Sequence, residues 1–161
     1  MTTQSLIAMV VAGGIALLAA AIFLPLLFTW YRGRAAGIGV SLQEVIEMRL
    51  RKVNAAMVID TAIRARDGGV QVDLKALDTH YISGGSIDAV VDGLLAARRE
   101  GLLLTWRTAT ALDLTGRDVV VAVRAVSAAQ RAGRVSKQPT NSEWLEIAHT
   151  TPPQQPSDRS L

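Results

Sequence analysis

The 161-residue sequence contains no cysteine, which excludes disulfides, thiolate nucleophiles and zinc–thiolate sites and is compatible with a reducing cytoplasm. Histidine is almost as scarce. His80 stands alone on an expected helix and His149 lies near the end of the chain. A nucleophile needs an adjacent base and a metal needs converging ligands, and neither pattern is present. His80 therefore reads as an ordinary surface or packing residue without a partner. The carboxylates are scattered, with Asp60 and Asp92 on what reads as a solvated helix face. No catalytic, cofactor-binding or metal-binding residue is assigned, and the chain is not expected to be an enzyme. A basic stripe with interleaved aromatics is also missing, so nucleic acid is not an expected partner. Sustained period-two alternation is absent as well, which makes the expected fold class all-α. Ser83-Gly84-Gly85-Ser86 has the glycines of a phosphate loop, but no strand precedes it. Its counterpart Thr115-Gly116-Arg117-Asp118 makes both read as helix–helix turns.

Charge is missing altogether from Leu6 to Trp30. A run of this length suits a helix crossing roughly 30 Å of hydrocarbon. Ala19-Ala20-Ala21 resembles a signal-cleavage site, yet no Lys or Arg precedes the run and the run is too long for a signal peptide. Two topologies remain open, a single span or a re-entrant hairpin turned at Pro25. Gly13-Gly14 either allows close helix approach or reflects the small residues common in such segments. Trp30 and Tyr31 follow where amphipathic rings favour the membrane boundary, with Arg32 and Arg34 directly after them. The net charge is +3, and residues 32–53 carry all of the excess through Arg32, Arg34, Arg49, Arg51 and Lys52 against Glu44 and Glu47. This placement points to anionic headgroups as partners. Trp30, Tyr31, Arg32, Arg34, Arg49, Arg51 and Lys52 are the candidate membrane-interface residues, and residues 40–161 are expected on the cytoplasmic face of the cell membrane.

Beyond residue 40 the sequence repeats. Gly69, Gly101 and Gly133 are 32 residues apart, as are Asn54, Ser86 and Asp118, and likewise Ser41, Asp73 and Thr105. Two capping residues and one terminal glycine per period describe a helical hairpin. Apolar residues follow at i, i+3, i+4 and i+7 in the second helices (Ala55/Ile87/Val119 onward), and Leu42/Leu74/Trp106, Val45/Leu77/Ala109 and Leu50/Ile82/Leu114 are the in-phase apolar positions of the first. Three units, 38–69, 70–101 and 102–133, give a short α-solenoid; the alternative is a set of unrelated amphipathic helices with coincident spacing. Arg64, Arg66, Arg98, Arg99, Arg131 and Arg134 sit where cations favour helix C-terminal ends. Residues 134–161 hold four of the five prolines and read as a disordered tail, within which Ser142 to His149 has material for two helical turns. The expected organisation is a stub (1–5), a transmembrane segment (6–31), a juxtamembrane linker (32–40), a helical repeat domain (41–133) and the tail (134–161).

From Val40 to about Ala129 the sequence resembles the bacterial flotillin-like protein A family. The similarity is carried by MRLRKV at Met48–Val53, HYISGGSIDAVVDGLLAARR at His80–Arg99 and LDLTGRDVVVAV at Leu112–Val123. The resemblance implies a membrane-associated scaffold that gathers into foci, organises membrane microdomains and helps other membrane proteins assemble, with no active site to carry over. Family members continue into a β-rich domain and a long charged helical region linked to self-assembly. Residues 134–161 do not resemble the start of that domain, so the sequence reads as a shortened form, natural or truncated, in which homo-oligomerisation is an open question. The leading expectation is a membrane-tethered scaffold or adaptor. The alternatives are a small regulatory or immunity-type membrane protein with one partner, and a remnant of a longer scaffold gene.

Overall fold

The computed structural model describes residues 3–136 and 139–150. Among them are eight helices and no strand: α1 (Thr3–Ala35), α2 (Leu42–Leu50), α3 (Ala55–Asp67), α4 (Leu74–Ile82), α5 (Ile87–Arg99), α6 (Trp106–Leu114), α7 (Val119–Arg131) and α8 (Asn141–Thr150). Both ends of α2, α4 and α6 recur at intervals of 32 residues, and so do both ends of α3, α5 and α7. Local chemistry fixes these ends. Ser41 and Glu44 make a reciprocal capping box, and the side chains of Ser86, Thr105 and Asp118 each accept a first-turn N–H. Asn54 does the same for Met57. Asp73 holds the N-cap position of α4 but makes no side-chain cap bond. The branched run Val119–Val123 opens α7, where the repeat requires a helix.

The residues divide into two compact units, one through Ile59 and one from Asp60 onward. In the first, α1 runs unbroken through Pro25, with no reversal of the chain there. It continues to Ala35, so the first residues of the expected linker are helical. Its stretch Met9–Ala35 is long and apolar enough to cross a membrane. Near the C-terminal end of α1, Gly33 is buried against Val40 and Ile59, and a Cβ there would come within 2.7 Å of the Val40 side chain. Val45 and Met48 turn the inner face of α2 into this core. Leu42, Ile46 and Leu50, spaced by four, form an exposed apolar face on the other side of α2.

In the second unit α5 packs on α6 and α7, and α8 closes the end against α6 and α7. Gly93 makes the α5–α7 approach possible, since a Cβ at this position would lie 2.2 Å from Val119 Cγ1. Thr61 and Arg64 both donate to Asp88, at 2.7 and 2.6 Å, and Ser127 donates to Glu100 at 2.6 Å. Two expectations change. Leu50, Ile82 and Leu114 are in phase but exposed, each being the final residue of its short helix. Part of the segment read as a disordered tail is helix: Trp144 is 1% exposed and its indole N–H donates to the Leu103 carbonyl at 3.2 Å. A single large aromatic supplies the buried apolar area that the composition of the tail did not suggest. Residues 151–161 of that expected tail, and 1–2 of the stub, lie outside the described residues.

The start of α8 is secured by a reciprocal pair. The backbone N–H and the hydroxyl of Thr140 donate to Glu143 Oε2 at 2.6 and 3.0 Å. The backbone bond first, and the hydroxyl second, hold the Glu143 carboxyl below its ordinary value of 4.5. A lowered folded-state value means that this stabilisation is fully present above the ordinary value and is lost as pH falls through the folded one. Amide hydrogen exchange across 141–150 is therefore expected to accelerate relative to α5 as pH drops below 4.5, and Glu143→Gln should remove that difference. An identical pH response in the variant would rule out the carboxylate as its source.

Candidate functional site

The seven interface residues predicted from the sequence fall into two groups in the first unit. Trp30, Tyr31, Arg32 and Arg34 lie on the last turns of α1, where the Arg32 guanidinium stands 5.9 Å from the Phe28 ring and that of Arg34 stands 5.9 Å from the Trp30 ring. These cation–π contacts hold the charges beside aromatic faces at the end of the apolar run. Arg49, Arg51 and Lys52 lie at the end of α2. The structure separates them further. Arg51 turns back to Glu47, with Nη2 at 3.9 Å from the carboxylate and Nε donating to the Glu47 carbonyl. Arg49 and Lys52 instead line an open cavity of about 450 Å³ together with Pro25, Leu26 and Thr29 of α1 and the first residues of α3.

The acidic residues nearby are engaged locally. Glu44 receives the Ser41 backbone N–H and hydroxyl, and Glu47 receives the Gln43 amide at 3.0 Å. Among the described residues neither Arg49 nor Lys52 has an ion-pair partner. Lys52 is also the one non-glycine described residue with positive φ, at 59°.

The second unit holds a constellation that sequence reasoning missed. His80 is buried, and its Nε2 lies 2.9 Å from Asp113 Oδ2. The same oxygen accepts the Ser86 backbone N–H at 2.7 Å, so Nε2 is the donor to an oxygen that receives both. Trp106 covers the imidazole edge-on at a centroid distance of 6.0 Å. Gly85 passes directly beneath it, where a Cβ would lie 2.2 Å from Nε2. The expectation that His80 has no partner is thus corrected: Asp113 of α6 is 33 residues away in sequence but bonds it directly, with α5 packed against both α4 and α6. The SGGS segment takes its form from this contact, and Ser83 Oγ donates to the Thr79 carbonyl. The arrangement ties the end of α4 and the start of α5 to α6. Among the described residues no group of three His, Cys, Asp or Glu side chains is placed to hold a metal.

The described residues define an all-helical protein with one N-terminal helix long and apolar enough to cross a membrane, followed by short helices at a fixed period. Residues 6–135 match the family described as Flotillin-like protein FloA. The chain belongs to that family. It is 40% identical over 119 residues to a Flotillin-like protein FloA of Dictyoglomus turgidum, covering 70% of this chain and 36% of the relative. It is 38% identical over 124 residues to a Flotillin-like protein FloA of Staphylococcus aureus, covering 77% of this chain and 37% of the relative. The chain thus spans little more than a third of the length of these curated relatives. No solved structure matches it.

Proposed function

We propose that this chain is a non-enzymatic, membrane-anchored scaffold or adaptor, of the kind that organises membrane microdomains and assists the assembly of other membrane proteins. The observation that carries this reading is α1, whose Met9–Ala35 stretch is apolar, exposed and followed by a cluster of basic side chains. Burying such a segment in hydrocarbon removes its apolar surface from water at about 25 cal/mol per Å². Trp30, Tyr31, Arg32, Arg34, Arg49, Arg51 and Lys52 then sit at the headgroup level of the cytoplasmic leaflet, residues 40–161 face the cytoplasm, and anionic lipids are the first partner. The helices of period 32 offer the surface that receives membrane proteins or further copies of the chain.

The test is fractionation of the full-length protein, followed by its native mass in mild detergent. The expected result is a membrane fraction resistant to high salt and alkaline carbonate, from which the protein emerges as a homogeneous assembly larger than one chain. Recovery in the soluble fraction would remove the anchoring reading. A membrane-bound monomer would keep the anchor and remove the self-assembling scaffold.

A further inference from the structure

The turn that ends the first helix of each period is left-handed at its second residue, with φ of 59° at Lys52, 82° at Gly84 and 75° at Gly116. These three positions are equivalent by the 32-residue spacing, and two of them are glycine. An L side chain in this conformation carries a steric cost that glycine avoids. Residues held in such regions persist where something else requires them. Lys52 and Arg49 both line the cavity that Pro25, Leu26 and Thr29 of α1 also line. No carboxylate is among the residues lining that wall.

The next period differs at the positions equivalent to the rest of this wall. There Asp88 accepts the Thr61 hydroxyl and the Arg64 guanidinium. The equivalents of Asp88 and Thr61 in the first unit are Ala56 and Thr29, both on the cavity wall. Ala56 offers no acceptor, and Thr29 Oγ1 turns to the Pro25 carbonyl at 2.7 Å. The carboxylate of Asp88 thus has no counterpart on this wall, and Arg49 and Lys52, which stand where the next period has Tyr81 and Gly84, are cations that the first period adds. The opposite wall is Pro25 and Leu26, part of the apolar run of α1. An occupant matched to both walls is anionic at one end and hydrocarbon at the other.

We propose that this cavity seats the phosphodiester of an anionic glycerophospholipid between Arg49 and Lys52, with its acyl chains lying along α1 beside Pro25 and Leu26. The inference rests on the membrane-anchored reading and takes a lipid of the surrounding bilayer as the occupant. Arg49 and Lys52 grip the phosphate, and the left-handed turn at Lys52 is the cost of placing the second cation there.

The experiment follows thermal unfolding of the full-length protein in neutral detergent as phosphatidylglycerol or phosphatidylcholine is added to the micelles. Phosphatidylglycerol is expected to raise Tm at a half-saturating concentration about tenfold or more below that of phosphatidylcholine. Lys52→Gly should raise Tm without lipid, because the turn is relieved, yet raise the phosphatidylglycerol half-saturation about fivefold. Arg49→Gln should show the same loss without the gain, and Lys52→Arg should retain binding. Arg51→Gln, already turned to Glu47, should cost less than either.

Equal responses to the two lipids would overturn the proposal. So would an Arg51→Gln loss as large as that of Lys52→Gly, which would mark a diffuse surface charge, or displacement by millimolar glycerol 3-phosphate, which would mark a soluble phosphate ligand. A chain recovered as soluble protein would defeat the anchoring reading itself. A chain firmly in the membrane that does not discriminate between the lipids would defeat only the site.

Discussion

Replacing Asp113 by alanine is expected to destabilise the second unit by about 3–5 kcal/mol, the usual cost of removing one partner from a buried hydrogen-bonded ionisable pair. The His80 and Asp113 side chains are only 4% and 3% exposed, so water cannot replace what is lost. Two donors are orphaned together, His80 Nε2 and the Ser86 N–H that caps the turn into α5. Asp113→Asn keeps one oxygen acceptor of similar shape and should cost only about 1 kcal/mol. Denaturant unfolding in detergent measures both values. The double variant His80→Ala/Asp113→Ala should lose less than the sum of the single changes, because the second removal takes away a group already stranded by the first. Additive losses would mean that the two side chains do not act as a pair.

Trp144→Ala should have an effect of the same size, about 3–5 kcal/mol, as the loss of a fully buried large aromatic leaves a cavity that short helices fill poorly. Its consequence is local. Trp144 belongs to the same buried cluster as Leu112, Val119 and Val126, and with Ala148 it attaches α8 to the rest. Amide protection across 141–150 should collapse before that of α5 or α7. Trp144→Phe retains most of the apolar area but loses the bond to the Leu103 carbonyl, so its cost should be closer to 1 kcal/mol. Unchanged protection of α8 in Trp144→Ala would show that the helix is held by other means, for which the contacts of Arg117 with the Ala148 carbonyl and His149 are the first candidates.

The periodic part of this fold was legible because its punctuation is local. Ser41, Ser86, Thr105 and Asp118 cap the helices at which they were placed, and Gly69, Gly101 and Gly133 end the second helices in the left-handed conformation. Contacts between periods were not legible, because equivalent positions do not share chemistry. The counterparts of His80 are Met48 and Leu112, and those of Asp113 are Arg49 and Tyr81. A search for repeated residues discards such singular pairs. The last helix was read only as two turns within a disordered tail, for a related reason: the capping pair of Thr140 and Glu143 comes three residues later than the period requires, so α8 falls out of register with the series. Near the end of α1, the residue types of the basic cluster were readable but their division was not. Arg49, Arg51 and Lys52 are nearly consecutive, and only the backbone at Lys52 and the ion pair of Arg51 decide which of them face the cavity.

The join between α1 and α2 has a mechanical consequence. Residues 36–41 contain no slack: Ala36, Gly37 and Ile38 bond back to the carbonyls of Arg32, Arg34 and Gly33, and Val40 is buried. A transmembrane helix adapts to a bilayer of different thickness by tilting. With no compliant tether, tilt of α1 becomes rotation of α2. Were α1 to span a bilayer, the exposed face of Leu42, Ile46 and Leu50 would swing with its tilt.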